Sequence, residues 1–262
     1  MIENVKDPSL EAHNLTVFYQ KRPAIWNLDF TLPKGKIIGI MGPNGSGKST
    51  LLKSIMGILK PNDGWVKVFQ RKIDDVRFKV SYVPQRQSID WDFPTNVFEV
   101  AKMGRISSKG LFKRFTKTDL EIVKESLHRV NMYDMRNRQI SELSGGQQQR
   151  TFLARALSQE ADLFIMDEPF AGVDAASEKA IIGLLNELKS KGKTLLVVHH
   201  DLHSAKNYFD WLVLLNTRLV GSGPLEKLYT DELLSETYGG TLTSLSKIAT
   251  KIEKQGLPIR HK

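Results

Sequence analysis

Apolar and polar residues alternate one by one in the opening third of the chain. Leu15 to Tyr19, Trp26 to Leu32 and Trp65 to Phe69 are therefore predicted as short antiparallel strands, with turns at Pro33-Lys34-Gly35 and Pro61-Asn62-Asp63-Gly64. They frame the apolar strand Lys36 to Ile40, which runs into a glycine-rich turn. From about Val97 to Gln159 the spacing becomes helical. Thr118 to Val130 sets Leu120, Val123, Leu127 and Val130 on one face, with Thr118 and Glu121 spaced as a capping box. Beyond Ala161 the pattern is strand, helix, strand: Leu163 to Met166, then Ser177 to Ser190 with Ile181, Leu184, Leu185 and Leu188 inward and Gly192 as its stop, then Thr194 to Val198. This order predicts an α/β core with an antiparallel annex and a helical insert over about residues 95–160. A unit of residues 1–240 is expected, followed by a basic tail over 241–262.

The chain has 262 residues, enough to bury a substantial core. It contains no cysteine, which excludes disulfides, thiolate zinc sites and a thiol nucleophile. Its apolar runs are too short to span a bilayer and its first residues lack a signal-peptide pattern, so a soluble, cytoplasmic protein is expected. The net charge of +9 suits an anionic partner or a lysine-rich solvated surface equally well. Basic residues concentrate at Lys109 to Lys117 and in the tail, and charge alone decides nothing.

The stretch Gly42-Pro43-Asn44-Gly45-Ser46-Gly47-Lys48-Ser49-Thr50 fits G-x-x-x-x-G-K-[ST], with a strand entering it and the amphipathic segment Thr50 to Leu59 leaving it. Glycines there let successive backbone N–H groups turn inward at a helix N-terminus, which makes an anion nest. Lys48 supplies a charge for the β- and γ-phosphates, and Ser49 a hydroxyl for Mg²⁺. Asp167 and Glu168 end an apolar strand, where open α/β sheets bind ligands. Asp167 is expected to hold Mg²⁺ through water and Glu168 to deprotonate the attacking water, a role worth about 10²- to 10⁴-fold in rate. His199 and His203 have a zinc-like spacing, but His199 ends a strand and so lacks the continuous helix that spacing requires. Strand alternation sends His199 and His200 to opposite sides, with His199 expected to pack or hydrogen-bond.

The segment Leu143-Ser144-Gly145-Gly146-Gln147, followed by Gln148-Gln149-Arg150, opens a helix with Phe152, Leu153, Ala156 and Leu157 inward. Together with the phosphate loop, it resembles the ATP-binding-cassette ATPases from Leu15 to about Tyr238. The resemblance implies a P-loop NTPase (RecA-like) core with an antiparallel β subdomain and an α-helical signature subdomain. It implies ATP and Mg²⁺ as cofactors, Tyr19 stacking on adenine, and Gln85 touching Mg²⁺ and sensing a membrane partner. Ala171 to Asp174 would be a loop crossing between two nucleotide sites, and His200 would grip the γ-phosphate. It further implies a head-to-tail homodimer, in which Ser144, Gly145, Gly146 and Gln147 of one subunit close over ATP on the other's phosphate loop.

A lone cassette resembles the separate ATPase subunit of an importer. The longer strings Gln85 to Pro94, Val97 to Val100, Met103 to Arg105, Phe170 to Ala176 and His199 to Leu202 resemble the subunits of manganese, zinc and iron importers. That implies multi-span permease subunits as partners, an extracytoplasmic metal-binding protein met only indirectly, and a place on the cytoplasmic face of the membrane. The rival readings are an ATPase acting on nucleic acid or ribosomes, expected to bind with a steep salt dependence, and a cassette of another transporter. The segment Tyr82 to Pro94 places Trp91 and Phe93 among carboxylates. Either these aromatics line a permease-docking groove, or Trp91 packs two subdomains together.

Overall fold

The computed structural model describes residues 1–20, 22–109 and 114–239; the predicted tail over 241–262 and part of the basic run at Lys109 to Lys117 lie outside them. Among the described residues nine strands form two sheets: β1 (Leu10–Tyr19), β2 (Arg22–Leu32), β3 (Ile37–Met41), β4 (Asp63–Val68), β5 (Val80–Val83), β6 (Leu163–Asp167), β7 (Thr194–Val198), β8 (Trp211–Asn216) and β9 (Arg218–Pro224). The helices are α1 (Lys48–Ile55), α2 (Ile73–Val76), α3 (Val97–Met103), α4 (Ile106–Lys109), α5 (Lys117–Arg129), α6 (Gly145–Ser158), α7 (Ala175–Ser190), α8 (Leu202–Tyr208), α9 (Leu225–Leu228) and α10 (Asp231–Tyr238).

The larger sheet has the order β5-β6-β7-β3-β8-β9 and is parallel except for the β8–β9 hairpin. Every residue of β3, β6 and β7 is buried, as expected of parallel strands covered on both faces. Their alternate side chains feed two cores. Ile37, Met41, Phe164, Met166, Leu195 and Val197 join the helices, whereas Ile38, Ile40, Ile165, Leu196 and Val198 meet the antiparallel sheet β2-β1-β4 and α1. The expected α/β core, antiparallel annex and helical insert are all observed.

Five of the predicted boundaries shift for physical reasons. Strands β1 and β2 begin earlier than the alternation suggests, because Asn14 (φ 48°) and Asn27 (φ 49°) interrupt it in left-handed conformation. Their backbone N–H groups are satisfied by Asp29 Oδ1 and Thr16 Oγ1, so the ladder resumes with shifted register. Helix α1 stops at Ile55, short of the predicted Leu59, and the chain turns at Gly57 (φ 68°). The capping box of α5 is formed by Thr116 and Asp119 rather than Thr118 and Glu121. Asp119 is buried and bound by Arg105 Nε at 3.2 Å, which fixes it at the third helical position. Similarly, α7 starts two residues before the predicted Ser177, capped by Asp174.

Helices α3, α5 and α6 pack through Val97, Val100, Ala101, Val123, Leu127, Phe152, Leu153, Ala156 and Leu157. Trp91 packs edge-on against Phe152 with ring centroids 5.4 Å apart and donates its Nε1–H to Arg86 O at 3.0 Å. Trp91 is half-buried in this contact, and Phe93 is exposed, at 55%. The end of α3 approaches α6 so closely that a Cβ on Gly104 would collide with Arg155 O and Ser158 Oγ. Gly104→Ala is therefore expected to lower unfolding stability by about 1–3 kcal/mol in urea titration, with an unchanged m-value.

Candidate functional site

Parallel strands β3, β7 and β6 are neighbours in register, with Ile40 opposite Val198 and Val198 opposite Asp167. Whatever follows each of them therefore emerges on the same sheet edge. Gly42, Pro43 and Asn44 after β3, Glu168 after β6 and His200 after β7 line one open cleft, which Tyr238 of α10 completes.

The phosphate loop is shaped by backbone constraints. Gly47 (φ 99°) is the N-cap of α1 and provides no side-chain cap, so the first N–H groups of that helix have no intrahelical or capping partner. A Cβ on Gly47 would strike Ala24 O and one on Gly42 would strike Leu215 O, so only glycine allows this close packing. Lys48 is buried, and its Nζ donates to Gly42 O and Pro43 O, both at 2.9 Å. Burial lowers its pKa, and Glu168 and Asp167 pull it back up. The result is a desolvated cation beside bare amides, a site suited to a polyanion.

Ser49 Oγ donates to Asp167 Oδ2 at 3.4 Å. The Asp167 carboxyl is pushed up by burial and by Glu168, against the pull of Ser49, Lys48 and Lys53. A buried carboxylate with raised pKa beside a hydroxyl fits a hard divalent cation, which would favour the ionised form. Glu168 has φ 52°, a conformation that costs a non-glycine residue about 1–3 kcal/mol and clusters at functional sites. Its N–H is held by Val198 O at 3.2 Å, and its Oε2 accepts from Gln85 Nε2 at 2.9 Å.

Strand β7 ends at Val198, so the two histidines lie beyond its alternation: their ring centroids stay 5.7 Å apart rather than on opposite sides, yet their surroundings differ. His199 is buried, with Nε2 2.7 Å from Ser204 Oγ and Phe170 edge-on at 5.4 Å. Burial and then His200 lower its pKa, so it stays neutral. His200 faces the cleft. No cluster of metal-ligating side chains occurs among the described residues.

Ser144, Gly145, Gly146 and Gln147 do not line this cleft, nor do Tyr19 and Asp174. Ser144 and Gln147 form a capping box for α6: Ser144 N donates to Gln147 Oε1 at 2.9 Å and Gln147 N to Ser144 Oγ at 3.4 Å. The box satisfies the N-cap and third amides and leaves those of Gly145 and Gly146 without a helical partner. Asp174 caps α7 through Ser177 N at 2.9 Å, and its Oδ2 accepts from Ser177 Oγ at 2.8 Å. Arg150 Nη1 in turn donates to Ser177 Oγ at 2.7 Å, tying α6 to this cap. Tyr19, at the end of β1, is 49% exposed, free to meet a planar ring.

Two residues that sequence reasoning passed over also matter. Tyr238 reaches the cleft from the last described helix, and no local motif announces it. Burial pushes its phenol up to about 12, so it remains neutral. Arg86 directs Nε to Gln148 Oε1 at 2.9 Å, and only its place directly after Gln85 offered a signal.

The ABC transporter family model matches residues 25–171. The manganese transport system ATP-binding protein MntB of Bacillus subtilis (strain 168) is 54% identical over 236 residues, covering 90% of this chain and 94% of that protein. The zinc transport system ATP-binding protein TroB of Treponema pallidum is 51% identical over 90% of this chain and 89% of its own length. Among solved structures, the dimeric post-hydrolysis state of the ATP-binding cassette MJ0796 bound to ADP and Pi superposes with a TM-score of 0.73 at 26% identity, covering 82% of this chain and 98% of that one. The family match over residues 25–171 and relatives identical at half or more of the aligned positions lead to one conclusion: the chain belongs to the ABC transporter family, as an ATP-binding and ATP-hydrolysing cassette.

Proposed function

We propose that this cassette powers import of manganese, zinc or iron, docked on the cytoplasmic face of the membrane beneath two multi-span permease subunits, with an extracytoplasmic metal-binding protein delivering the cargo. The observation that carries the catalytic part is Glu168, strained, at the mouth of the cleft, facing His200 and tied to Gln85. The metal class rests on the named relatives, which are manganese and zinc transport subunits.

In this reading the amides of Gly45 to Thr50 and Lys48 hold the β- and γ-phosphates, and Tyr19 stacks on the adenine. Ser49, Asp167 and Gln85 are the oxygen donors for Mg²⁺, which would neutralise phosphate charge when bound. Glu168 accepts the proton of the attacking water, and His200 donates to the γ-phosphate oxygen as charge develops there. Gln85 holds the Glu168 carboxylate at 2.9 Å, so a shift of the Gln85 segment moves the base. The amides of Gly145 and Gly146, with Ser144 and Gln147, serve the ATP of a second copy in a head-to-tail dimer, and Asp174 lies on the loop that crosses between the two sites. Phe93 is the exposed apolar contact offered to the permease.

Glu168→Gln is expected to bind ATP, to accumulate a dimer in size-exclusion chromatography with ATP, and to lose about 10²- to 10⁴-fold in hydrolysis. Reconstituted with its permease, the same variant should abolish radiolabelled manganese or zinc uptake. His200→Ala should lose about 10²- to 10³-fold in kcat, while His199→Ala mainly lowers the melting temperature and leaves turnover per folded molecule within a few fold; a reversed pattern would exchange their roles. Phe93→Ala should weaken co-purification with the permease at unchanged melting temperature, and Trp91→Ala should instead destabilise the chain by about 3–5 kcal/mol in chemical denaturation.

A further inference from the structure

Arg86 lies where three elements of the nucleotide machinery meet within one chain. Its backbone neighbour Gln85 donates to Glu168 Oε2 at 2.9 Å. Its own Nε donates to Gln148 Oε1 at 2.9 Å on the first turns of α6. Gln148 is buried, and its Nε2 is spent on Ile140 O at 3.2 Å, so its amide orientation is fixed and its oxygen is aimed at Arg86. The guanidinium also fills the space over Gly145: a Cβ there would come within 3.0 Å of Cζ and Nη1. Nη1 lies 4.0 Å from the corresponding position on Gly172, in the loop that leads to Asp174. The Arg86 carbonyl is itself fastened by Trp91 Nε1 at 3.0 Å, and Trp91 packs on Phe152 of the same helix α6. A planar, permanently charged group gripped at both its backbone and its tip transmits displacement as a strut does.

We propose that Arg86 is a positioning residue that couples the two ATP sites of the dimer, by fixing the start of α6, which serves the other copy's nucleotide, to Gln85 and Glu168, which serve its own. The inference rests on the head-to-tail dimer reading above. Its consequence is directional. When Glu168 and Gln85 rearrange during hydrolysis in one site, the strut shifts Gly145 and Gly146, and so alters the amides offered to the opposite site. Among the described residues no hydrogen bond or ion pair joins the Arg86 side chain to a residue that lines the phosphate cleft, so ATP binding to one chain is expected to be independent of it.

The test measures hydrolysis against ATP concentration in the assembled transporter. Wild type should show a Hill coefficient approaching the limit of about 2 set by two sites. Arg86→Ala and Gln148→Leu, which break the same contact from opposite sides, should each bring it to about 1, with nucleotide affinity of the isolated chain unchanged within about twofold. Gln148→Glu keeps an acceptor for Arg86 and should retain cooperativity, a rescue that a purely structural role would not require. Melting temperatures identify any variant that has simply unfolded, and the other member of the pair then carries the comparison. If Glu168→Gln forms an ATP-dependent dimer while Arg86→Ala and Gln148→Leu keep the wild-type Hill coefficient, the strut is wrong and the dimer stands. If Glu168→Gln forms no such dimer, the dimer reading fails and the strut falls with it.

Discussion

The alignment of β6, β7 and β3 governs everything else in this molecule. These strands are buried on both faces, so no charge can be placed along them without a large desolvation cost. Charged groups become affordable only where the strands emerge, and parallel pairing makes all three emerge on one edge. The phosphate loop, Glu168 and His200 come from positions more than a hundred residues apart in part, yet the register of the hydrogen-bond ladder sets them around one cleft.

The electrostatics around the phosphate loop suit a polyanion. Burial disfavours the charges of Lys48 and Asp167 alike, and each is the other's partial remedy. Lys48 uses the loop carbonyls of Gly42 and Pro43 as provisional acceptors. Phosphate offers that lysine, and the uncapped amides of α1, stronger charge-assisted bonds than carbonyls do. Binding energy therefore comes from groups already in place, with little reorganisation of the loop.

Most of this could be read from the residues because the signals were local. Continuous apolar runs marked the central strands, and the phosphate loop, Asp167-Glu168 and Ser144 to Gln147 are contiguous in sequence. What escaped depends on distant partners. The helix starts at Thr116 rather than Thr118 because Asp119 is buried against Arg105, a partner that lies outside the helix. The strands β1 and β2 run through left-handed asparagines whose amides are met by side chains across the sheet. Tyr238 enters the cleft only because α10 packs back on β8, and its sequence neighbourhood carries no phosphate chemistry. The contact of Trp91 with Phe152 joins residues 61 positions apart, so no local pattern announces it.

The two glycine-bearing helix starts show how one physical device is used in two ways. Helix α1 begins on Gly47 with no side-chain cap, leaving its whole first turn of amides for a ligand. Helix α6 begins on Ser144, whose hydroxyl and the Gln147 amide group take two amides back into the protein. The remaining pair, on Gly145 and Gly146, is a smaller and more rigid donor set, clamped by Arg86 on one side and by the Arg150–Ser177–Asp174 chain on the other. An open nest binds phosphate in any state of the protein, because its orphan donors gain from any anion that reaches them. A small, clamped set gains only when an anion is brought to it at one position, so it suits a contact that forms and breaks as two surfaces meet. In the proposed head-to-tail dimer the capping box thus makes the second contact conditional where the first is permanent, which is what a switch driven by ATP needs.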